Sequence, residues 1–241
     1  MFKIFHIAQS EQDSKKTFNE LSNITFEKIT NGRQGAVLVA PTHNGLIPIV
    51  RTTTKYEDPP QLFLEQHLEL IKQIERASPP SRVGSWNNAL IEIYSDTYRS
   101  MGYHSDQALD LAPDSQIAIY SHYDDGQANR ILRIKDKVTG ETQDILLEHQ
   151  SVVMFSTETN RKYLHKIILD KPGGNRWLGM TLRVSKTHLA GLHLASDEEK
   201  KEFYKLRGQE NKLTNFVWPE ISYTLSPSDL MEKTLLRMNP P

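Results

Sequence analysis

The chain has no cysteine among its 241 residues. That excludes disulfides, thiolate nucleophiles and every cysteine-ligated zinc or iron–sulfur centre, so a metal here must be held by His, Asp and Glu. Charge of one sign is equally lacking. The 29 Lys and Arg against 30 Asp and Glu leave a net charge of −1, which gives no global pull toward nucleic acid or anionic membrane. Long apolar runs are missing too. The opening MFKIFHIAQSEQDSKK is a poor signal peptide, and no later stretch approaches membrane-spanning length. The expectation is a cytoplasmic or nuclear protein that does not engage a membrane. Other familiar chemistries are absent as well: the sequence holds no His-Glu-x-x-His, no Gly-x-Ser-x-Gly and no phosphate loop after Gly173-Gly174.

What is present is a sequence of short β-rich segments. Residues 1–50 read as strands and turns, with AVLVA at 36–40 and LIPIV at 46–50. The segment 60–76 places Phe63, Leu64, Leu68, Ile71 and Ile74 at helical spacing between two proline pairs, which predicts an amphipathic helix with His67 on its polar face. From about residue 85 the texture changes. NALIEIY, IAIYSHY, RILRIKD, DILLEHQ, SVVMFS, YLHKIIL and LGMTLRV are rich in β-branched and aromatic residues, and turn chemistry such as Asp-Asp-Gly and Pro-Gly-Gly-Asn separates several of them. With YRSMGYHSD (98–106) as a further strand, the count nears the eight of a jelly roll. After Val184 the chain turns polar and helical and ends in a proline-containing tail. The fold expectation is therefore mainly β with flanking helices, an α+β chain around a double-stranded β-helix. Residues 1–84 would be an N-terminal extension packing on the core as a substrate lid, 85–185 the jelly-roll core and 186–241 a C-terminal extension, all within one compact unit.

The chemistry is carried by a histidine and an aspartate two residues apart. On a strand, His104 and Asp106 point the same way. An iron that activates dioxygen must keep three of its six positions open, so two imidazoles and one carboxylate on one face suffice. His165, 61 residues later on a predicted strand, can supply the third ligand. A rival pair, His122 and Asp124, sits where a strand runs into a turn. Further on, NRWLGMTLR carries Arg176 and Arg183. A keto-acid cosubstrate has a carboxylate remote from the metal, and arginine pairs such a group bidentately.

In this order the residues resemble the Fe(II)/2-oxoglutarate-dependent dioxygenases, and within them the AlkB-like branch. Tyr94 in LIEIY stands where that family keeps a tyrosine for 2-oxoglutarate, His104, Asp106 and His165 match the iron ligands, and NRWLGMTLR looks like the closing strand. The resemblance covers about residues 85–185. It implies Fe(II), 2-oxoglutarate and O2, with succinate and CO2 released as a substrate C–H bond is hydroxylated. Where that carbon is an N-methyl group, as in an alkylated nucleobase, formaldehyde is lost.

Two positions depart from the pattern. The family's closing arginines are six apart, which keeps both on one face, whereas Arg176 and Arg183 are seven apart. Either a bulge near Gly179 restores the phase, or Arg183 alone serves the cosubstrate. Glu92 also stands where the DNA-repair members carry Asn. The substrate is open at this level between nucleic acid, a protein side chain and a small metabolite, and a non-catalytic jelly-roll binding module is the alternative class. Arg51, Tyr56 and Tyr103 are the candidate substrate contacts, with Trp86 and Tyr98 as further aromatics able to stack on a base.

Overall fold

The computed structural model describes residues 1–7, 14–43, 45–52, 54–78, 85–188 and 193–225. The chain opens with β1 (Lys3–His6), α1 (Ser14–Leu21) and the hairpin of β2 (Glu27–Thr30) with β3 (Arg33–Val39). β4 (Gln61–Leu62) leads into α2 (Glu65–Ala77), and β5 (Asn88–Tyr94), β6 (Gln116–Tyr123), β7 (Arg130–Asp136), β8 (Thr142–Leu146) and β9 (Ser151–Ser156) follow. The short α3 (Thr157–Lys162), β10 (Tyr163–Leu169), β11 (Trp177–Arg183), β12 (His193–Leu194), α4 (Asp197–Lys212) and β13 (Tyr223–Thr224) complete the order.

Two antiparallel sheets make the jelly roll expected from the sequence. The larger runs β1-β9-β6-β11-β5-β3-β2, with β4 added parallel to β3, and the smaller runs β10-β7-β8. Their facing sides share one apolar core: Ile119, Tyr123, Phe155 and Trp177 from the large sheet meet Leu132, Ile134, Ile145 and Ile167 from the small one. The alternate residues of the same large-sheet strands, such as Ile91, Leu178, Met180 and Leu182, form a second core with Phe18 of α1 and Leu70, Ile71 and Ile74 of α2. Period-2 alternation thus feeds two layers, and each large side chain so buried contributes about 1.5–3 kcal/mol. The first β-strands and both N-terminal helices therefore belong to the packed body.

The structure corrects several local expectations. YRSMGYHSD is not a regular strand; its pairing with β10 is limited to isolated bridges at Ser100 with Ile168 and His104 with His165. LIPIV is likewise extended rather than a strand, bridging only at Pro48 with His188. The helix begins at Glu65 rather than Pro60, because Gln61 and Leu62 pair with β3 and Leu64 takes the N-cap position. The proline pair at 79–80 lies outside the described residues. His67 is fully buried: its Nδ1 accepts the Leu64 N–H, and its Nε2–H donates to the Leu21 carbonyl at 2.7 Å. Trp86 is a core residue whose indole N–H donates to the Gln116 carbonyl, not an exposed stacking platform.

On β11, Trp177 folds back over Gly179. A Cβ on Gly179 would lie 1.9 Å from the indole, so the glycine is what allows the ring to fill the barrel there. Gly179→Ala is expected to cost about 1–3 kcal/mol through overpacking, measured as a shift in the urea midpoint at unchanged slope.

His122, the rival ligand, is sealed between α1 and β6. Its Nε2–H donates to the Ser14 carbonyl at 2.9 Å and its Nδ1 lies 3.0 Å from the Tyr120 hydroxyl. Desolvation, with His149 nearby, lowers its pKa from 6.5 to about 4. The fold therefore favours neutral His122, and the associated stability is complete above pH 6.5 and lost as pH falls toward 4. Denaturant unfolding of His122→Gln at pH 7 and pH 4.5 should show a smaller acid loss than wild type, by up to about 3 kcal/mol.

Candidate metal centre

His165 points inward from β10 because alternate residues of that strand face the core. His104 comes from an irregular segment, and two backbone hydrogen bonds tie the segments together. His104 N–H donates to the His165 carbonyl at 3.0 Å, and His165 N–H returns one to the His104 carbonyl at 2.7 Å. Directly opposed antiparallel residues project their side chains to the same face, and the two imidazole centroids lie 4.5 Å apart. Asp106 joins from two residues on, its Oδ1 4.0 Å from His104 Nε2 and 3.9 Å from His165 Nε2. One ligand atom from each of the three falls within 4.8 Å of the others.

The ligand segment is clamped from two sides by residues the sequence reading did not single out. Asn160, in α3, accepts the Asp106 N–H and donates to the Asp106 carbonyl, both at 2.8 Å. From α4, Asn211 accepts the Ser105 N–H, Glu210 accepts the Ala108 N–H at 3.2 Å, and Arg207 donates to the Ser105 carbonyl while pairing with Glu210 at 2.6 Å. Glu210 and Asn211 project from a helix after the core, so only a three-dimensional contact reveals this role.

The electrostatics suit a divalent ion. Desolvation, then His104, lower the His165 pKa to about 3. Desolvation also lowers that of His104, opposed by Asp106. Both rings are thus neutral lone-pair donors at physiological pH. His104 Nδ1–H donates to the Gly102 carbonyl at 3.1 Å, which leaves Nε2 free toward the site. Burial alone would raise the Asp106 carboxyl, but Arg183, His165 and His104 together hold it at about 2. The triad opens onto a cavity of about 530 Å³ whose apolar walls include Leu90, Ile119 and Ile167.

Arg183 lines that cavity and pairs with Asp106, with Nη2 3.1 Å from Oδ1 and Nε 3.3 Å from Oδ2. Its third nitrogen, Nη1, is buried and has no partner among the described residues. A neutral imidazole pair, an ionised carboxylate and an orphaned guanidinium donor beside an open cavity fit Fe(II) together with an anionic chelating cosubstrate.

The other candidates fall in different places. Arg176 is corrected: β11 pairs with β5 without interruption from Trp177 to Arg183, so there is no bulge near Gly179. Arg176 instead faces outward, bonded to Asp124 at 2.8 Å and lying over the Phe18 ring. Asp124 of the rival pair is thereby engaged away from the triad. Tyr94 is fully buried one row beyond Glu92, and its hydroxyl donates to Glu92 Oε2 at 2.6 Å. Arg51 lines the cavity but is locked to Asp110 at 2.6 Å. Tyr56 is buried with its hydroxyl 3.4 Å from Glu92. Tyr103 lines the cavity next to His104, with the Lys166 and Lys135 ammonium groups 4.5 and 5.7 Å from its ring centroid.

His165→Ala is expected to weaken Mn(II) binding at least about 100-fold, and Asn160→Ala about 10- to 100-fold, since partners that orient a ligand carry effects of that size. Calorimetric titration of the metal-free protein measures both, with His122→Gln expected to bind as wild type.

Comparison with known proteins agrees with the geometry. No curated protein matches the chain in sequence. Among solved structures, OsALKBH1 superposes with a TM-score of 0.52 at 15% identity, over 76% of this chain and 97% of its own, which shows a common fold. The family model for the 2OG-Fe(II) oxygenase superfamily matches residues 15–207. That match takes in the cavity-lining Arg33, the three ligands, Arg183 and most of α4, and the chain belongs to the 2OG-Fe(II) oxygenase superfamily.

Proposed function

We propose that this dioxygenase hydroxylates an N-methyl or similar N-alkyl carbon on a base of single-stranded nucleic acid, which then collapses to formaldehyde and the dealkylated nitrogen. The observation that carries this reading is the placement of Tyr103. It stands beside a metal ligand at the cavity, exposes part of its ring, and has two lysine ammonium groups close to it. An aromatic surface with adjacent cations is what single-stranded nucleic acid uses, bases stacking while phosphates are neutralised. The net charge of −1 makes this a local device rather than a global one.

His104, Asp106 and His165 would hold Fe(II), which would supply the redox chemistry of the family: decarboxylation of 2-oxoglutarate to succinate and CO2, with one oxygen atom of O2 entering succinate and the other the substrate C–H bond. The protein supplies position and environment. His104, Asp106 and His165 present three donors from one side, leaving the cavity side open. Arg183 keeps Asp106 ionised and holds its carboxylate in place, and Arg183 Nη1, which has no partner among the described residues, is available to an anionic ligand. Leu90, Ile119 and Ile167 give that space an apolar wall.

With Fe(II), 2-oxoglutarate and an N-methylated single-stranded oligonucleotide, formaldehyde and succinate are expected in equal amounts. Binding should weaken steeply with salt, and Lys135→Ala/Lys166→Ala should lower the logarithmic salt slope by about 1.4, the value for two phosphates on a single strand. No oligonucleotide binding at low salt, alongside continuing succinate formation, would turn the substrate assignment to a protein side chain or small metabolite while leaving the dioxygenase intact.

A further inference from the structure

The cosubstrate is a dicarboxylate, and its remote carboxylate needs a cation deep in the cavity. The face of β11 that carries Arg183 supplies none, because the residues sharing it are Thr181, Gly179 and Trp177, with the indole folded over the glycine. Arg176 lies outside on Asp124. Among the described residues, four arginines line the cavity. Arg183 belongs to Asp106 at the metal end. Arg51 has both terminal nitrogens taken by Asp110 and the Tyr223 carbonyl, and Arg207 by Glu210 and the Ser105 carbonyl, so that only the inner Nε of each is without a partner among the described residues. The fourth is Arg33.

Strand register puts Arg33 in the right row. Tyr94 on β5 is paired with Trp177 on β11 on one side and with Arg33 on β3 on the other. Its guanidinium lies 5.9 and 5.6 Å from the Tyr94 and Tyr98 ring centroids. Glu92 Oε1 takes Nε at 2.7 Å and Nη2 at 2.6 Å, and Nη2 also donates to Thr54 Oγ1 at 2.9 Å. Nη1 has one long contact among the described residues, 3.4 Å to the Tyr98 hydroxyl. One edge of the fork is thus held by Glu92. The other, flanked by the hydroxyls of Thr54 and Tyr98, has donor capacity to spare, and all three of those side chains line the cavity.

We propose that Arg33 holds the remote carboxylate of 2-oxoglutarate, assisted by the Tyr98 and Thr54 hydroxyls, and that Glu92 moderates the affinity by sharing the same guanidinium. The inference rests on the chain being a 2-oxoglutarate-dependent oxygenase, and it moves the anchoring cation from the closing strand to an N-terminal one. Glu92 fixes Arg33 in place, and Tyr94 and Tyr56 steady Glu92 in turn. Its negative charge also opposes a second carboxylate nearby.

The test is anaerobic calorimetry of the Fe(II)-loaded protein with two keto acids: 2-oxoglutarate, and 2-oxopentanoate, which carries a methyl group where the remote carboxylate would be. Arg33→Gln should weaken 2-oxoglutarate binding about 10- to 100-fold, the range of charge-assisted hydrogen bonds, and leave 2-oxopentanoate within about twofold, the scatter expected where no contact is lost. Glu92→Gln should tighten 2-oxoglutarate by about three- to tenfold, a modest charge effect, again sparing 2-oxopentanoate. Equal weakening of both keto acids by Arg33→Gln, or an unchanged preference, overturns the assignment. If Arg33→Gln does not fold, Glu92→Gln decides, and an equal effect on both ligands overturns it. Wild-type protein that binds neither keto acid would instead defeat the oxygenase reading itself, a result distinct from wild-type binding with both variants unaltered.

Discussion

Two reciprocal backbone hydrogen bonds, between His104 and His165, hold this site together. Everything else around the centre can be understood as support for that one bridge. It converts an irregular segment into a place where an imidazole faces another imidazole, and the carboxylate two residues on follows from chain geometry. The bridge lies outside any regular ladder, but a second bridge, Ser100 with Ile168, and the backbone bonds Met101 N–H to Ile167 carbonyl and Leu169 N–H to Arg99 carbonyl tie the same segment to β10. Side chains reinforce it further: Asn160 on one flank, and Arg207, Glu210 and Asn211 on the other.

Among the described residues, four buried or nearly buried ion pairs surround the cavity: Arg33–Glu92, Arg51–Asp110, Arg183–Asp106 and Arg207–Glu210. Removing such charges from water costs several kcal/mol per ion, and their attraction does little more than offset it. Stability is therefore a poor reason for so many. Position is a better one, since each acid fixes the direction of a guanidinium that would otherwise sample many rotamers. The three pairs other than Arg33–Glu92 bind segments that the strand pairing leaves loose: the stretch around Arg51, the ligand loop and α4.

The sequence was informative where chemistry is local. His104 and Asp106 are two residues apart, and His165 lies in a strand of strongly β-forming residues, so the triad and the jelly roll were readable together. The helix around Ile71 was readable too, although its buried face was misjudged. His67, Leu70, Ile71 and Ile74 fall at i, i+3, i+4 and i+7, and that spacing already placed the histidine inside. Arg176 was a misreading of phase: an arginine adjacent to the strand caught attention, while Trp177 at the position six before Arg183 carried the real information. Arg33, Asn160 and Arg207 were illegible because their roles depend on register and on packing between distant segments. No local pattern distinguishes an arginine in a hairpin strand from one that reaches a cavity across two strands.

The clamp from α4 has a consequence for the order in which the protein is made. The candidate iron ligands lie at residues 104, 106 and 165, yet the helix that fastens their loop begins at Asp197 and acts through residues 207 to 211. A ribosome has therefore synthesised the whole barrel before the parts that fasten the loop emerge. On a nascent chain that stops short of α4, the ligand loop would have Asn160 to hold it but neither Arg207, Glu210 nor Asn211.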